Sequence, residues 1–276
     1  MKHFILYIIF FSFSVCHAQM LYPIVGIYKG KSAQGMAIWG DEAYLFNDGG
    51  SCRVFNLKTG EVTKVFSLAS AGKKNHVNAA CFGKEKANGG SCPVIYISEY
   101  NLPSRCFVEC INDTVSTLVQ TIQAQNKGKA VFVQSWIVDK EGKWIYAIAR
   151  QTPPKGDKNS AKVKISKYRL PDLSEGVNIN LSEKDCIDSF IVDFASGTQG
   201  GKIIGKYLYI VTGLQETSRG QFNAARAIQV IDLKKRKLVK TIDLTYITTN
   251  EPEDIDFYRN KMILYTGQNG GLYLVK

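Results

Sequence analysis

Five copies of one strand–turn–strand pattern recur along the chain at intervals near 50 residues. Each copy has an apolar strand, a polar turn, and a second strand that carries a tyrosine or, in the last copy, a leucine. Repeats of this length are typical of the blades of a β-propeller. Aligned on Tyr44, Tyr96, Tyr146, Tyr209 and Leu264, the copies are 52, 50, 63 and 55 residues apart.

A second hairpin follows each of the first four copies, at residues 54–62, 107–115, 166–173 and 230–238. Apolar and polar residues alternate with period two on both sides of a turn, which predicts antiparallel strands. Cys110 takes the place of Leu57 and Leu233 in this alignment, which predicts a core position. The chain is therefore predicted to be an all-β, five-bladed β-propeller with four-stranded antiparallel blades. A β-sandwich built from the same hairpins is the alternative, and the regular spacing favours the propeller.

The last copy leaves room for only one more strand before the end of the chain. Residues 21–28 form an apolar stretch with no partner of its own, and Pro23 suits an outer edge strand. We expect this stretch to complete the last blade and close the ring, because pairing the two ends removes an open sheet edge. The 63-residue spacing leaves five against six blades open.

The first residues have the order of a secretory signal peptide. A basic start and a short apolar run end in a small-x-small sequence before Gln19. Cleavage after Ala18 would leave residues 19–276 as a single propeller domain, exported to the periplasm or the cell surface. The alternative is a lipoprotein anchored through Cys16.

Six cysteines remain after this cleavage. They permit up to about three disulfides in an oxidising compartment, in any of about 15 connectivities. Buried thiols are the alternative that we favour for at least half of them.

The formal net charge of +11 favours anionic partners, such as an acidic glycan or another anionic polymer. The sequence predicts no nucleic-acid partner and no transmembrane segment after the signal peptide.

Polar residues stand where the chain enters the innermost strand of each blade and where it leaves the next strand. Loops at these points surround one mouth of the propeller channel, the usual place for a ligand. The candidate ligand-binding residues are Gln34, Asp48, His76, Asn78, Glu99, Tyr100, Gln134, Arg150, Asp188, Gln215, Glu253, Asp254 and Gln268.

Some of these side chains could carry chemistry. Glu99 and Glu253 could form the carboxylate pair that cleaves a glycosidic bond, His76 could act as a general base, and Arg150 could bind an anion or a neighbouring carboxylate. Each residue type is also common at the ends of strands, so the catalytic residues stay unknown. No motif for a metal or another cofactor is present, and none is predicted.

The residues that open the first and last blades also support a resemblance. Gln34-Gly35-Met36, the hairpin at residues 54–62 and the segment Glu251-Pro252-Glu253-Asp254-Ile255-Asp256 resemble signatures of small secreted bacterial β-propellers. Gln34-Gly35 also resembles the five-bladed glutaminyl cyclases of the plant type. That family has a glutamate at the end of its next strand, where this chain has Asn47-Asp48, so no catalytic role is transferred.

The leading hypothesis is an exported, non-catalytic binding propeller that holds a glycan or a protein partner on its channel face. One alternative is a polysaccharide-active enzyme, a glycoside hydrolase or lyase, that uses carboxylates at the channel mouth. Another alternative is a scaffold subunit of a surface complex.

Overall fold

The protein is a ring of five antiparallel sheets around a central channel. The structure, a computed structural model, describes residues 33–72, 76–139, 141–151, 161–194, 197–213, 226–245, 248–267 and 271–275, and the backbone of residues 21–23. The prediction of an all-β, five-bladed propeller is confirmed. No helix among the described residues is long and apolar enough to cross a membrane.

The strands follow one another from the inside of each blade outwards. After β1 (Leu21–Pro23), the first blade consists of β2 (Ala33–Trp39), β3 (Glu42–Asn47), β4 (Ser51–Asn56) and β5 (Val62–Ser67). The second consists of β6 (Val77–Phe82), β7 (Ile95–Glu99), β8 (Cys106–Asn112), β9 (Val115–Asn126) and the short β10 (Lys129–Ala130).

The third blade contains β11 (Ser135–Val138), β12 (Trp144–Arg150), β13 (Ala161–Arg169) and β15 (Cys186–Phe194). Between its last two strands lie β14 (Asn178–Leu181) and two 3₁₀ turns, Leu173–Glu175 and Glu183–Asp185. The fourth blade is β16 (Thr198–Ile204), β17 (Tyr207–Thr212), β18 (Ala227–Asp232) and β19 (Lys237–Asp243), and the fifth contains β20 (Pro252–Tyr258), β21 (Lys261–Thr266) and β22 (Leu272–Val275).

The inner strands β2, β6, β11, β16 and β20 surround the channel, and each packs against its neighbours in the ring. We call the end of the channel at which these strands begin the upper mouth, and the end at which they finish the lower mouth.

The hydrophobic core consists of five clusters, each of which lies between two neighbouring blades. Ile95 and Ile97 of β7 pack towards the first blade, whereas Tyr96 packs towards the third. Because both faces of a blade are buried, its middle strands are nearly continuous apolar runs. Apolar residues at successive positions therefore contribute to two different clusters.

The 63-residue spacing contains an added strand and no sixth blade. The chain leaves β13 and places β14 parallel to the outer strand β9 of the second blade. There Asn178 pairs with Thr121 and Leu181 pairs with Ala124. This strand covers the outer edge of the second blade, which would otherwise be open to pairing with another chain.

The N-terminal strand completes the fifth blade, as predicted. Leu21 pairs with Val275 and Pro23 pairs with Tyr273, so β1 lies antiparallel to β22. Pro23 lies on an outer edge strand, where a missing N–H costs no ladder hydrogen bond. The other residues of the predicted closing strand, 24–28, and the proposed signal peptide lie outside the described residues.

The six cysteines of the described residues are free thiols, and all but Cys186 are buried. Cys110 packs in the cluster between the second and third blades, which confirms its predicted core position. Burial raises the pKa of the Cys81 thiol to about 11. These thiols therefore contribute to packing as small apolar groups.

Candidate functional site

Every inner strand begins at the upper mouth with one extra residue. The pairing register shifts by one residue between Ala33 and Met36 in β2 and between Val77 and Ala79 in β6. The same shift occurs at the start of β16 and of β20. At the start of β11, the Gln134 N–H bonds to the Ile148 carbonyl, which already lies opposite Ser135. Such bulges change the direction of a side chain and recur next to functional sites.

The extra residue is an amide in four blades and a carboxylic acid in the fifth. In each of the first four blades, the tyrosine of the repeat pairs with a residue of the inner strand, and the extra residue lies three positions before that partner. In the fifth blade Leu264 pairs with Ile255, and the extra residue lies two positions before Ile255. We call these side chains the upper ring: Gln34, Asn78, Gln134, Gln199 and Glu253.

Hydrogen bonds connect part of the upper ring from blade to blade. Asn78 donates to Ser135 Oγ at 2.7 Å. Gln134 donates to the Thr198 carbonyl and accepts from Thr198 Oγ1 at 2.6 Å. Gln199 donates to Glu251 Oε1 at 2.6 Å. These contacts hold the amides of the second, third and fourth blades in fixed orientations.

Three oxygens of the upper ring are buried without a hydrogen-bond partner among the described residues. They are Gln34 Oε1, Asn78 Oδ1 and Glu253 Oε2. A buried polar atom without a partner costs about 1–3 kcal/mol, so each such atom calls for an explanation. All three can accept a hydrogen bond, which makes the ring complementary to a group that donates.

The surroundings of Glu253 favour the neutral form of its carboxyl. Burial raises the pKa of its carboxyl well above the ordinary value, and the neighbouring carboxylates of Glu251, Asp254 and Asp48 add to the shift. The side chain packs so closely on Gly267 that any side chain at that position would collide with it. A protonated Glu253 can also donate a hydrogen bond.

A cleft of about 270 Å³ opens beside the ring, between the second, third and fourth blades. Its lining includes five of the predicted site residues, namely His76, Asn78, Tyr100, Gln134 and Arg150.

The outer wall of this cleft is aromatic. The ring of Tyr100 lies 5.1 Å from that of His76 and 5.4 Å from that of Phe132 in an edge-on arrangement. His76 Nδ1 contacts the carboxylate of Asp48, which connects the loop before β6 to the turn between β3 and β4 of the first blade. The cleft thus combines one aromatic wall with amide, imidazole and guanidinium groups.

Glu99 does not face this cleft. Its two carboxylate oxygens each accept a hydrogen bond of 2.8 Å from the guanidinium of Arg105, and the residue is only 4% exposed. Neither Glu99 nor Glu253 is among the residues that line this cleft, so the cleft does not bring the predicted carboxylate pair together.

Asp254 lies inside the channel and joins three blades. Its Oδ2 accepts the N–H groups of Met36 at 2.8 Å and of Ala80 at 3.1 Å, and its Oδ1 accepts that of Ile255 at 2.8 Å. Burial raises the pKa of this carboxyl, and the three N–H donors oppose that shift. A side chain at Gly200 would collide with it. Asp254 therefore fills the channel below the upper ring.

The expected position of Asp188 was wrong. It lies in β15, an outer strand, where it pairs with Lys167 near the lower end of the blade and binds Arg236 at 3.0 Å. The inner strand of the fourth blade begins instead at Thr198-Gln199. Gln215 and Gln268, the remaining predicted site residues, lie outside the described residues.

Gln199 was missed by the sequence analysis although a signal for it exists. Gln199-Gly200 repeats the Gln34-Gly35 pair at the same place in the bulge. Among the described residues, no group of three or more His, Cys, Asp or Glu side chains is placed to hold a metal ion.

Comparisons with known proteins identify no family for this chain, and they find solved structures of low sequence identity. No known protein family matches the chain, and no curated protein matches it. It is similar to the crystal structure of the computationally designed Ika8 protein, with 9% identity and a TM-score of 0.41 over 91% of this chain and 98% of that one. It is also similar to the Pan2 WD40 domain of Neurospora crassa, with 12% identity and a TM-score of 0.38 over 90% and 64% of the two chains. With identities this low, neither likeness says anything about the function of this chain.

Proposed function

We propose that the upper mouth of the channel binds a glycan and catalyses no reaction on it. The observation that carries the proposal is the set of buried oxygens without partners at Gln34, Asn78 and Glu253. Sugar hydroxyls can donate to such oxygens and accept from amide N–H groups, so one saccharide could satisfy several members of the upper ring.

The surroundings of the ring support the same ligand. Small-molecule sites combine apolar walls with a few fixed polar groups, and the cleft beside the ring has Tyr100 and His76 on its wall. Arg150 adds a cation at the edge, which favours a sugar that carries an acidic group. The salt bridge of Glu99 with Arg105 argues against the polysaccharide-active alternative.

Glycan binding is tested with an array of neutral and acidic glycans, followed by calorimetric titration of the tightest binder. The Gln34→Leu and Asn78→Leu variants are each expected to lose at least about tenfold in affinity, since each lacks an oxygen that the sugar would satisfy. Gln34→Leu should fold at least as stably as the parent, because it removes a buried oxygen that has no partner.

Gln125→Leu on the outer strand β9 is the matched control and should bind within about twofold of the parent. If the array stays blank with folded protein, or if both ring variants bind like the control, the proposal is wrong.

We also propose that the chain is exported after cleavage at Ala18. The support is the signal-like order of residues 1–18. Intact mass spectrometry of protein from its own host, alkylated under denaturing and non-reducing conditions, should give a chain that begins at Gln19 with six labels, because the six described cysteines are free thiols. A mass that includes Met1 contradicts the export, and fewer than six labels would show disulfides.

A further inference from the structure

The lower mouth of the channel is a second, larger cleft that no predicted site residue lines. Its volume is about 830 Å³, and all five blades contribute to its lining. This volume falls within the range of about 300–1,000 Å³ that is usual for sites of small organic ligands.

The wall of this cleft is aromatic. Trp39, at the end of β2, is 43% exposed and lies 6.0 Å from the ring of Phe82 at the end of β6. Phe257 of β20 lines the same cleft and is supported from behind by Tyr209 at 5.1 Å. A half-exposed tryptophan that shares a concave surface with two phenylalanines is typical of a surface that binds apolar groups.

The floor of the cleft carries a buried cation. Lys202 Nζ lies 2.9 Å from Asp256 Oδ2, and both side chains are at least nine-tenths buried. The carboxylate of Asp256 also accepts the N–H groups of Ile38 at 2.9 Å and Phe257 at 2.7 Å. The Asp256 carboxylate thus accepts hydrogen bonds from three donors. The ammonium of Lys202 has three N–H bonds but only one hydrogen-bond partner, Asp256, among the described residues.

Lys202 keeps its charge at neutral pH. Burial alone would lower the pKa of its ammonium, but the charge attraction and the hydrogen bond of Asp256 are part of what outweighs burial and raises that pKa. An ammonium with unused donors at the bottom of an aromatic cleft is complementary to an anionic group.

The charged residues at the rim of the cleft also favour an anionic ligand. Lys84 lines the cleft and makes no ion pair in the described part of the chain, and Arg259 adds a second cation that is shared with Asp41 at 3.0 Å. The opposing charge on the rim is Glu141, which lies 3.4 Å from Lys143. The rim therefore attracts anions, in agreement with the net charge of the chain.

We propose that the lower mouth binds a small molecule with an aromatic body and an anionic head, of the class of aromatic carboxylates and sulfonates. The body would lie between Trp39, Phe82 and Phe257, and the head would point at Lys202. This site is separate from the upper ring, because Asp254 and the Lys202–Asp256 pair fill the channel between them.

The proposal is tested by fluorescence titration of the folded protein with 8-anilinonaphthalene-1-sulfonate, which has an aromatic body and an anionic head. N-Phenyl-1-naphthylamine, which lacks the sulfonate, is the neutral probe. We expect saturable binding of the sulfonate at one site, with the neutral probe bound at least about tenfold more weakly. Trp39→Ala should weaken sulfonate binding by at least about tenfold, and Lys84→Ala by about threefold.

Trp144→Ala is the matched control, since Trp144 is a half-buried tryptophan that stacks on Lys167 and lines a different cleft. It should bind the sulfonate within about twofold of the parent.

Lys202→Met should reduce the preference for the sulfonate over the neutral probe. If this variant fails to fold, the proposal is tested by Trp39→Ala and Lys84→Ala alone. Equal binding of both probes, or a Trp39→Ala variant that binds like the Trp144→Ala control, overturns the proposal. Gln34→Leu should leave sulfonate binding unchanged, which distinguishes this site from the upper mouth.

Discussion

Replacing Asp254 by alanine is expected to lower the free energy of unfolding by about 3–5 kcal/mol, or to prevent folding altogether. The carboxylate accepts backbone N–H groups from three inner strands, those of the first, second and fifth blades. Alanine would leave the N–H groups of Met36, Ala80 and Ile255 buried without partners. It would also leave a cavity at the centre of the ring, where no other blade can move in to fill it.

Urea denaturation followed by circular dichroism measures this effect. Asp254→Asn retains the shape and one acceptor oxygen, so its loss should be smaller, about 1–2 kcal/mol. Asp193→Ala, an exposed aspartate on β15, is the control and should change stability by less than about 0.5 kcal/mol. An Asp254→Ala protein as stable as this control would show that the channel does not hold the blades together.

The architecture was predictable because it depends on short-range patterns that repeat. The tyrosine positions revealed the blades, and the unpaired stretch that begins at Leu21 revealed how the ring closes. The position of Asp188 was not predictable in the same way. Alternation identifies β15 as a strand, but it does not say that Ile187 and Ile191 face solvent on an outer strand, where they are 55% and 56% exposed.

The upper ring was predictable only in part, and for a physical reason. Gln34, Asn78, Gln134 and Glu253 could be placed at one mouth because each stands where the chain enters an inner strand. The bulge that directs them depends on pairing register, which side-chain alternation alone does not reveal. The role of Asp254 depends on contacts with Met36 and Ala80, which are 218 and 174 residues away in the chain. No local pattern encodes contacts at such a distance.

Glu253 and Asp254 are neighbours in the chain, but their buried carboxyls differ in how many hydrogen bonds they accept. Asp254, next to it, has three N–H donors, whereas Glu253 Oε2 has no hydrogen-bond partner among the described residues. A fold selected for stability alone would favour glutamine or an apolar residue at this position. Such a loss of stability is expected if Glu253 contributes to the binding that we propose for the upper mouth.

The raised pKa of the Glu253 carboxyl makes the free energy of unfolding depend on pH. Because the folded pKa of Glu253 is raised above that of the unfolded chain, the folded state binds more protons than the unfolded state between the two pKa values. Below the unfolded pKa, near about 4.3, both states are protonated and there is no penalty. As pH rises through this window, stability falls by up to about 1.4 kcal/mol per pH unit, and the loss ends once the folded carboxyl also ionises.

Glu253→Gln should therefore be more stable than the parent at high pH and equally stable at low pH. The amide has nearly the same shape and cannot ionise, so it escapes the penalty and also the repulsion from Glu251, Asp254 and Asp48. The free energies of unfolding of both proteins, measured by urea denaturation between about pH 4 and pH 8, should diverge as pH rises above about 4.3 and stop diverging once the folded carboxyl ionises. Titrating groups that do not interact with Glu253 contribute equally to both proteins and cancel in the difference. Two parallel curves would mean that Glu253 is already ionised in the folded protein, and the neutral acid would have to be abandoned as a member of the upper ring.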